Sequence, residues 1–258
     1  MSDLLAGRRG VVLGVSGANS IGYHTARALR GLGAEVAVTC RPPRLAAVTA
    51  LAAELGVAVH PVDLLDEPSL AAAFDALDDG RPLDFLVHGL VDVPEGLLAR
   101  SVLEVSRAEF AHVMTVAAWS LIAACRCAQP MLARSTAPRI VALTSACSHR
   151  MTANYHVAGI AKAALESAVL YLAMHLGKDG VLVNAVSASL LASDGAIRTI
   201  GAQPAAATRA AQARRAATGR AVSYLDVAHC IGFLCSPLAA SLTGEIVTVD
   251  GGFSRAYL

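Results

Sequence analysis

The sequence predicts an α/β fold: a single-domain, Rossmann-type, doubly wound parallel sheet of seven strands with helices on both faces. Three observations carry this. Short β-rich runs alternate with Ala- and Leu-rich helical runs from end to end, which implies parallel strands joined by right-handed crossovers. The strand runs are apolar throughout, as expected when both sheet faces are covered. The chain has 258 residues, 55% hydrophobic and 16% charged, enough for one large domain with a sizeable core. No domain-scale linker or repeat interrupts residues 1–258.

The first strand, Val11–Val15, runs through Gly14-Val15-Ser16-Gly17-Ala18-Asn19-Ser20-Ile21-Gly22 into a helix over Ile21–Leu32. Small residues let the backbone approach a pyrophosphate, and a helix N-terminus supplies N–H groups and the positive dipole end. The glycine spacing is not the common dinucleotide fingerprint, and a plain tight turn also explains it. Its place at the first βα turn favours the nucleotide. The second strand, Glu35–Thr39, ends in Cys40-Arg41, with Arg44 close behind. An acidic residue here would bind a ribose 2′-hydroxyl, whereas Arg41 suits a 2′-phosphate. The expected cofactor is therefore NADPH, with NADH possible; the alternative is a solvated arginine.

A helix over Arg44–Leu55 and a strand over Val57–His60 precede Asp63, a candidate acceptor for the adenine amino group or the cap of a turn. A helix over Ser69–Leu77 leads to the strand Phe85–His88 and then Gly89-Leu90, where glycine allows close backbone passage. His88 reads as structural or cofactor-adjacent. A helix over Ser106–Ala133, a strand over Ile140–Thr144, a helix over Asn154–Leu176 and a strand over Val181–Val186 follow. Ser187–Ser223 is the longest irregular piece, rich in Ala and Arg and so partly helical. Placed after a late strand, it is a natural substrate lid. A helix over Leu225–Cys235 and a strand over Glu245–Val249 close the pattern.

Tyr155 and Lys162 stand seven residues apart, and only two of the 21 basic residues are lysines, Lys162 and Lys178. An ammonium is a compact point charge that a guanidinium cannot copy. At about 100° per residue, seven residues return nearly to one helix face, about 10 Å along the axis. A phenol and an ammonium are thus expected along one cleft.

A formal net charge of +1 argues against a nucleic-acid partner bound by phosphate neutralisation. No uninterrupted apolar stretch reaches membrane-span length, and the N-terminus lacks a signal-peptide layout. Six cysteines at 40, 125, 127, 147, 230 and 235 read as reduced, mostly buried thiols. Cys125 and Cys127 are too close for a zinc knuckle, so no metal site is expected. A cytoplasmic location is the expectation.

With these residues in view, the chain resembles the bacterial enoyl-acyl-carrier-protein reductases, a divergent branch of the short-chain dehydrogenase/reductase superfamily. The resemblance covers nearly the whole length. It rests on Gly14 through Ser20-Ile21, Val87-His88, Asn154-Tyr155 with Lys162-Ala163, Val183 through Ala188, Asp226-Val227 through Ser236, and Gly244 through Phe253. Commoner superfamily members carry the tyrosine four residues before the lysine, where Ala158 stands here. In conjugate reduction, hydride adds to the β-carbon while charge develops on an oxygen three bonds away. A phenol farther from the lysine fits that oxygen, and a donor aimed at such charge contributes about 3–4 kcal/mol. The resemblance assigns Tyr155 to the thioester carbonyl and Lys162 to the nicotinamide ribose. It implies cofactor contacts at Gly14, Ser20, Ile21, Arg41, Asp63, Leu64, His88, Gly89, Leu90, Lys162, Leu191 and Ser193. A homotetramer or homodimer, and an acyl thioester carried on a protein or coenzyme A, are further implications.

Three departures bear on this. Ser145 stands where many relatives place a second tyrosine, and where the carbonyl reducers place a catalytic serine. It either donates to a substrate carbonyl or caps a loop. Ser189-Leu190 replaces a Gly-Pro beside the nicotinamide, which removes a fixed φ. The segment Ser187–Tyr224 has no Phe, Trp or Met. Within it Arg209, Arg214, Arg215 and Arg220 either meet a carrier protein or phosphopantetheine phosphate, or form a solvated face. The stretch Thr115-Val116-Ala117 lacks the asparagine of the carbonyl reducers. The leading function is enoyl thioester reduction. Reduction of a ketone or enone in a specialised pathway, and a catalytically weak dinucleotide-binding paralogue, are the alternatives.

Overall fold

The computed structural model describes residues 3–256. In chain order the elements are β1 (Arg9–Leu13), α1 (Ile21–Gly31), β2 (Glu35–Cys40), α2 (Leu45–Leu55), β3 (Ala58–Pro61), α3 (Glu67–Leu77), β4 (Phe85–His88), α4 (Arg107–Met114), α5 (Ser120–Leu132), β5 (Arg139–Ser145), α6 (His156–Leu176), β6 (Leu182–Ala188), α7 (Asp194–Ile200), α8 (Ala202–Arg215), α9 (Tyr224–Leu234) and β7 (Ile246–Val249). The strands form one parallel sheet in the order β3-β2-β1-β4-β5-β6-β7. All seven predicted strands are present, with ends shifted by a residue or two.

Their uninterrupted hydrophobicity has a simple cause. Alternate strand residues enter different cores. Val11, Leu13, Leu86, Ile140 and Ala142 pack with α3, α5 and α6 on one face. Val12, Val87, Val141, Leu143 and Val186 pack with α1, α2 and α9 on the other. A face-down residue in one layer is followed by a face-up residue in the next, and both are dry.

Local chemistry sets the helix ends. Ser20, Ser106 and Ser223 cap α1, α4 and α9 by accepting a backbone N–H of the first turn. Gly56 ends α2 in the left-handed region at φ 63°.

Three details differ from the sequence expectation. The helix predicted over Ser106–Ala133 is split by a wide π turn at Thr115–Trp119. The one predicted from Asn154 starts at His156, because Asn154 adopts φ 56° and Tyr155 is the non-helical cap. Asparagine tolerates that left-handed conformation better than most residues. Two continuous helical stretches, Arg107–Leu132 and His156–Asp179, also have the length and apolarity of a membrane span, where none was expected. Within an 18-residue apolar window of each, half and 44% of the residues are buried in the fold, since α5 and α6 pack on the sheet and on one another.

Candidate active site

The strand order reverses between β1 and β4, and the crevice beyond their carboxyl ends is where such sheets take a ligand. The β1 side of this crevice is backbone. Gly14 has φ 92°, and a Cβ there would lie 2.2 Å from Leu90 Cδ2. Its N–H donates to Thr39 Oγ1 at 3.2 Å. Ser20 Oγ donates to Gly17 O at 2.7 Å and accepts from Tyr23 N at 3.2 Å, which ties the glycine turn to the start of α1. Ile21 begins that helix. A side-chain-free turn against a helix N-terminus fits a pyrophosphate.

Farther along the rim, Arg41 is exposed at the end of β2. Asp63 Oδ1 accepts Leu65 N at 3.0 Å, so one oxygen is engaged in a turn, as the capping alternative expects. Leu64 is buried beside it in the core of β1 and α3. On the β4 side, a Cβ at Gly89 would meet Leu143 Cδ1 at 2.9 Å.

His88 is fully buried, with Nε2 2.7 Å from Ser120 Oγ. Ser120 gives its single hydroxyl proton to Val116 O at 2.7 Å. His88 Nε2 must then carry the proton of the pair, leaving Nδ1 as a buried acceptor with no partner. Burial, followed by the Lys162 charge, lowers the His88 pKa to about 3, so the ring is neutral. The π turn ends at Trp119, directly before Ser120, and widened turns of this kind occur often at functional sites.

Lys162, on α6, is 5% exposed. Its Nζ donates to Leu143 O at 2.7 Å and to Leu90 O at 3.1 Å. Burial lowers its pKa to about 8, opposed by Glu166 one turn on. An ammonium has three N–H donors, so one remains for a ligand. Tyr155 packs with Val113, Val157, Ala158 and Ala161 in a small separate core. Burial, with the Cys147 thiol adding to it, pushes the phenol up to about 12. Ser145 lies near enough to favour the phenolate slightly, but its own Oγ is buried without completing a hydrogen bond. Nor does Ser145 cap the following turn, so the loop-capping alternative is not what its side chain does. The helical-face expectation for Tyr155 and Lys162 needs one correction. Tyr155 precedes the helix, with φ −143° and ψ 17°, so the 3.6-residue period does not place it.

The segment 187–223, expected to be a substrate lid, folds largely as α7 and α8. Leu191 is buried, and Ser193 caps α7 by accepting Ala196 N at 3.2 Å. Ser187 and Ser189 have buried hydroxyls without partners at the end of β6. The four arginines do not share a face. Arg220 lies beyond α8 and pairs with Asp226, Arg215 stacks over the Phe253 ring at 5.3 Å, Arg209 has a buried Nε, and Arg214 is exposed.

Sequence reading missed other parts of the crevice wall. Asn19 Nδ2 donates to Ala192 O at 2.9 Å and to Asp194 Oδ1 at 3.0 Å, joining the glycine turn to the start of α7. Tyr224 donates to Asn19 Oδ1 at 2.9 Å and stacks on His24. Asp92, His112 and Arg198 meet from three elements. Separations of 20 to more than 200 residues leave no local signal for such pairs.

The family model described as "Enoyl-(Acyl carrier protein) reductase" matches residues 14–254. A Salmonella typhimurium protein named enoyl-[acyl-carrier-protein] reductase [NADH] FabI is 36% identical over 261 residues, covering 98% of this chain and 97% of the relative. A Rhizobium meliloti protein named enoyl-[acyl-carrier-protein] reductase [NADH] 1 is 35% identical over 260 residues, covering 98% and 92%. Among solved structures, the Bacillus cereus enoyl-acyl carrier protein reductase with NADP+ and an indole naphthyridinone matches with a TM-score of 0.93 at 31% identity, covering 99% of this chain and 100% of that one. The Anaplasma phagocytophilum reductase in complex with NAD matches with a TM-score of 0.92 at 28% identity, covering 100% and 96%.

Proposed function

The chain belongs to the enoyl-acyl-carrier-protein reductase family, and on that footing we propose that it reduces the conjugated double bond of an enoyl thioester with a nicotinamide cofactor. The observation that carries the reading is the helix start at Tyr155. Ala158, the carbonyl reducers' tyrosine position, is fully buried in the small core around Tyr155, so only the earlier phenol is available.

When bound, the reduced nicotinamide would supply hydride to the β-carbon of the substrate, and a proton taken up from solvent at the α-carbon would complete the saturated thioester. Tyr155 donates a hydrogen bond to the thioester carbonyl oxygen, where charge collects. Its raised pKa keeps it a protonated donor at neutral pH. Lys162 uses the N–H left over from Leu90 O and Leu143 O to hold a ribose hydroxyl, and its charge favours the developing enolate. Gly14, Ser20 and Ile21 form the pyrophosphate cradle, with Ser193 beside it. Asp63 and Leu64 would flank the adenine, and His88, Gly89, Leu90 and Leu191 would stand on the nicotinamide side, His88 from within the core. Arg41 would favour NADPH, with NADH as the alternative cofactor.

The whole chain acts as one domain, and residues 187–223 serve as its substrate lid. The exposed apolar residues Leu170, Tyr171 and Met174 of α6 suit pairing with another copy, as a homodimer or homotetramer. Six free thiols, three buried and three half-buried, suit a cytoplasmic location. The acyl chain arrives on a carrier protein or on coenzyme A.

The test is cofactor oxidation with crotonyl and longer enoyl thioesters on both carriers, with the product identified. A saturated acyl thioester is expected. Absence of turnover with any chain length, while cofactor binds, would sink the proposal. Ser145 favours a second reading, ketone or enone reduction, because its unpartnered hydroxyl lies near the phenol. An alcohol product would mark that reaction.

A further inference from the structure

One carboxylate beside the crevice is ringed by basic groups from three separate elements. Asp92 follows β4, and its side chain is 22% exposed. Its Oδ2 lies 3.0 Å from His112 Nε2 on α4 and 3.4 Å from Arg41 Nη1 after β2. Its Oδ1 accepts from Arg198 Nη2 on α7 at 3.2 Å. Among the described residues, neither Arg41 nor Arg198 has another acidic partner. Two guanidinium groups and an imidazole against one carboxylate leave the cluster short of negative charge.

The three contacts are unequal. His112 and Arg198 meet hydrogen-bond geometry. Arg41 makes only a longer ion pair, and its side chain is 60% exposed. It is the member that a second anion most easily captures. Its place at the end of β2 is where the cofactor's 2′ substituent is read.

We infer that Asp92 is a specificity-determining residue: it occupies Arg41 as a 2′-phosphate would, and through Arg198 it holds the lid helix α7 with the same carboxylate. This rests on the assignment of Arg41 to the cofactor under the proposed function. With a 2′-hydroxyl cofactor, Arg41 keeps Asp92 as its counter-ion, so NADH stays usable in a chain whose second strand ends in arginine. With a 2′-phosphate, the Asp92 charge stands close by and offsets part of the arginine's attraction. Arg198 competes from the lid side. The more Asp92 is drawn to Arg198, the less it holds Arg41.

Opposite shifts in cofactor preference test this. Dissociation constants for NADPH and NADH are measured by nucleotide fluorescence for the wild type, Asp92→Asn, Arg198→Ala, Arg41→Ala and the pairwise double variants. Asp92→Asn, of the same shape without the charge, is expected to raise the NADPH-over-NADH preference about three- to fivefold, as suits a partly exposed pair. Arg198→Ala is expected to lower it. The Asp92→Asn effect should vanish in the Arg41→Ala background, and the Arg198→Ala effect in the Asp92→Asn background. Asp92→Asn should also raise the KM for the enoyl thioester more than it lowers kcat, through the loosened lid. An unchanged preference in Asp92→Asn, with both nucleotides still binding, overturns the role of Asp92 and leaves the proposed function standing. An Arg198→Ala effect that persists in Asp92→Asn is simple charge loss and overturns the competition. Failure of the wild type to bind either nucleotide overturns both readings.

Discussion

At the scale of single residues, two ionisations are pushed in directions that suit their roles. Tyr155 is driven up to about 12 and Lys162 down to about 8, both by burial first. Neutral pH therefore has a protonated phenol and a charged ammonium. Tyr155→Phe should lower kcat by about 10²–10³-fold while the cofactor dissociation constant changes little; an equal loss of both would reject the assigned role. Lys162 carries a pH signature of its own. The unfolded chain holds its proton up to the ordinary 10.5, whereas the folded chain releases it near 8. Between those values the unfolded state binds more protons, so stability rises with pH across the window. Cofactor affinity should fall over the same range as the ammonium is lost. Denaturant melts and nucleotide titrations from pH 7 to 10.5 should show these opposite slopes, and both should flatten in Lys162→Met.

At the scale of elements, the site depends on how closely α6 approaches the loop after β5. Gly159 sits on α6 with no room for a side chain, since a Cβ would lie 2.6 Å from Cys147 O. That contact is with backbone, which cannot rotate away. Gly159→Ala should cost about 1–3 kcal/mol by overpacking, read as a lowered denaturation midpoint. It should also slow turnover, because Tyr155 and Lys162 ride at the same end of that helix. Ser120 makes a related point. The π turn at Thr115–Trp119 carries no sequence mark, and Ser120, which follows it, makes the only protein hydrogen bond of the His88 ring among the described residues. Ser120→Ala would leave His88 buried with both nitrogens unpaired, and a loss of about 1–3 kcal/mol is expected in the same melt.

At the scale of the whole molecule, the sheet order places the ends of β1, β4, β5 and β6 along one edge. Pairing of Ser145 with Ala188, and of Ala188 with Val249, aligns the last residues of β5, β6 and β7 in a row. The outer surface of α6 stays apolar, with Tyr171 66% and Met174 73% exposed. Light scattering should give a dimer or tetramer, and Met174→Glu with Tyr171→Glu should shift it towards monomer without loss of folding. A wild-type monomer at all concentrations would refute the pairing.

The sequence by itself determined the seven strands, the parallel class and the family motif around Tyr155 and Lys162. These depend on local periodicity, cap chemistry and spacings of a few residues, all written along the chain. It also singled out Ser145, but not that its hydroxyl is buried without a partner. Only the tertiary structure decided that Tyr155 stands before α6 rather than on it, that Arg209, Arg214, Arg215 and Arg220 do not form one face, and that Asp92 gathers Arg41, His112 and Arg198. The Asp92 cluster, like the stack of Arg215 on Phe253, is a contact between elements far apart in sequence. Its energy depends on where packing sets the backbone, and no local pattern records that.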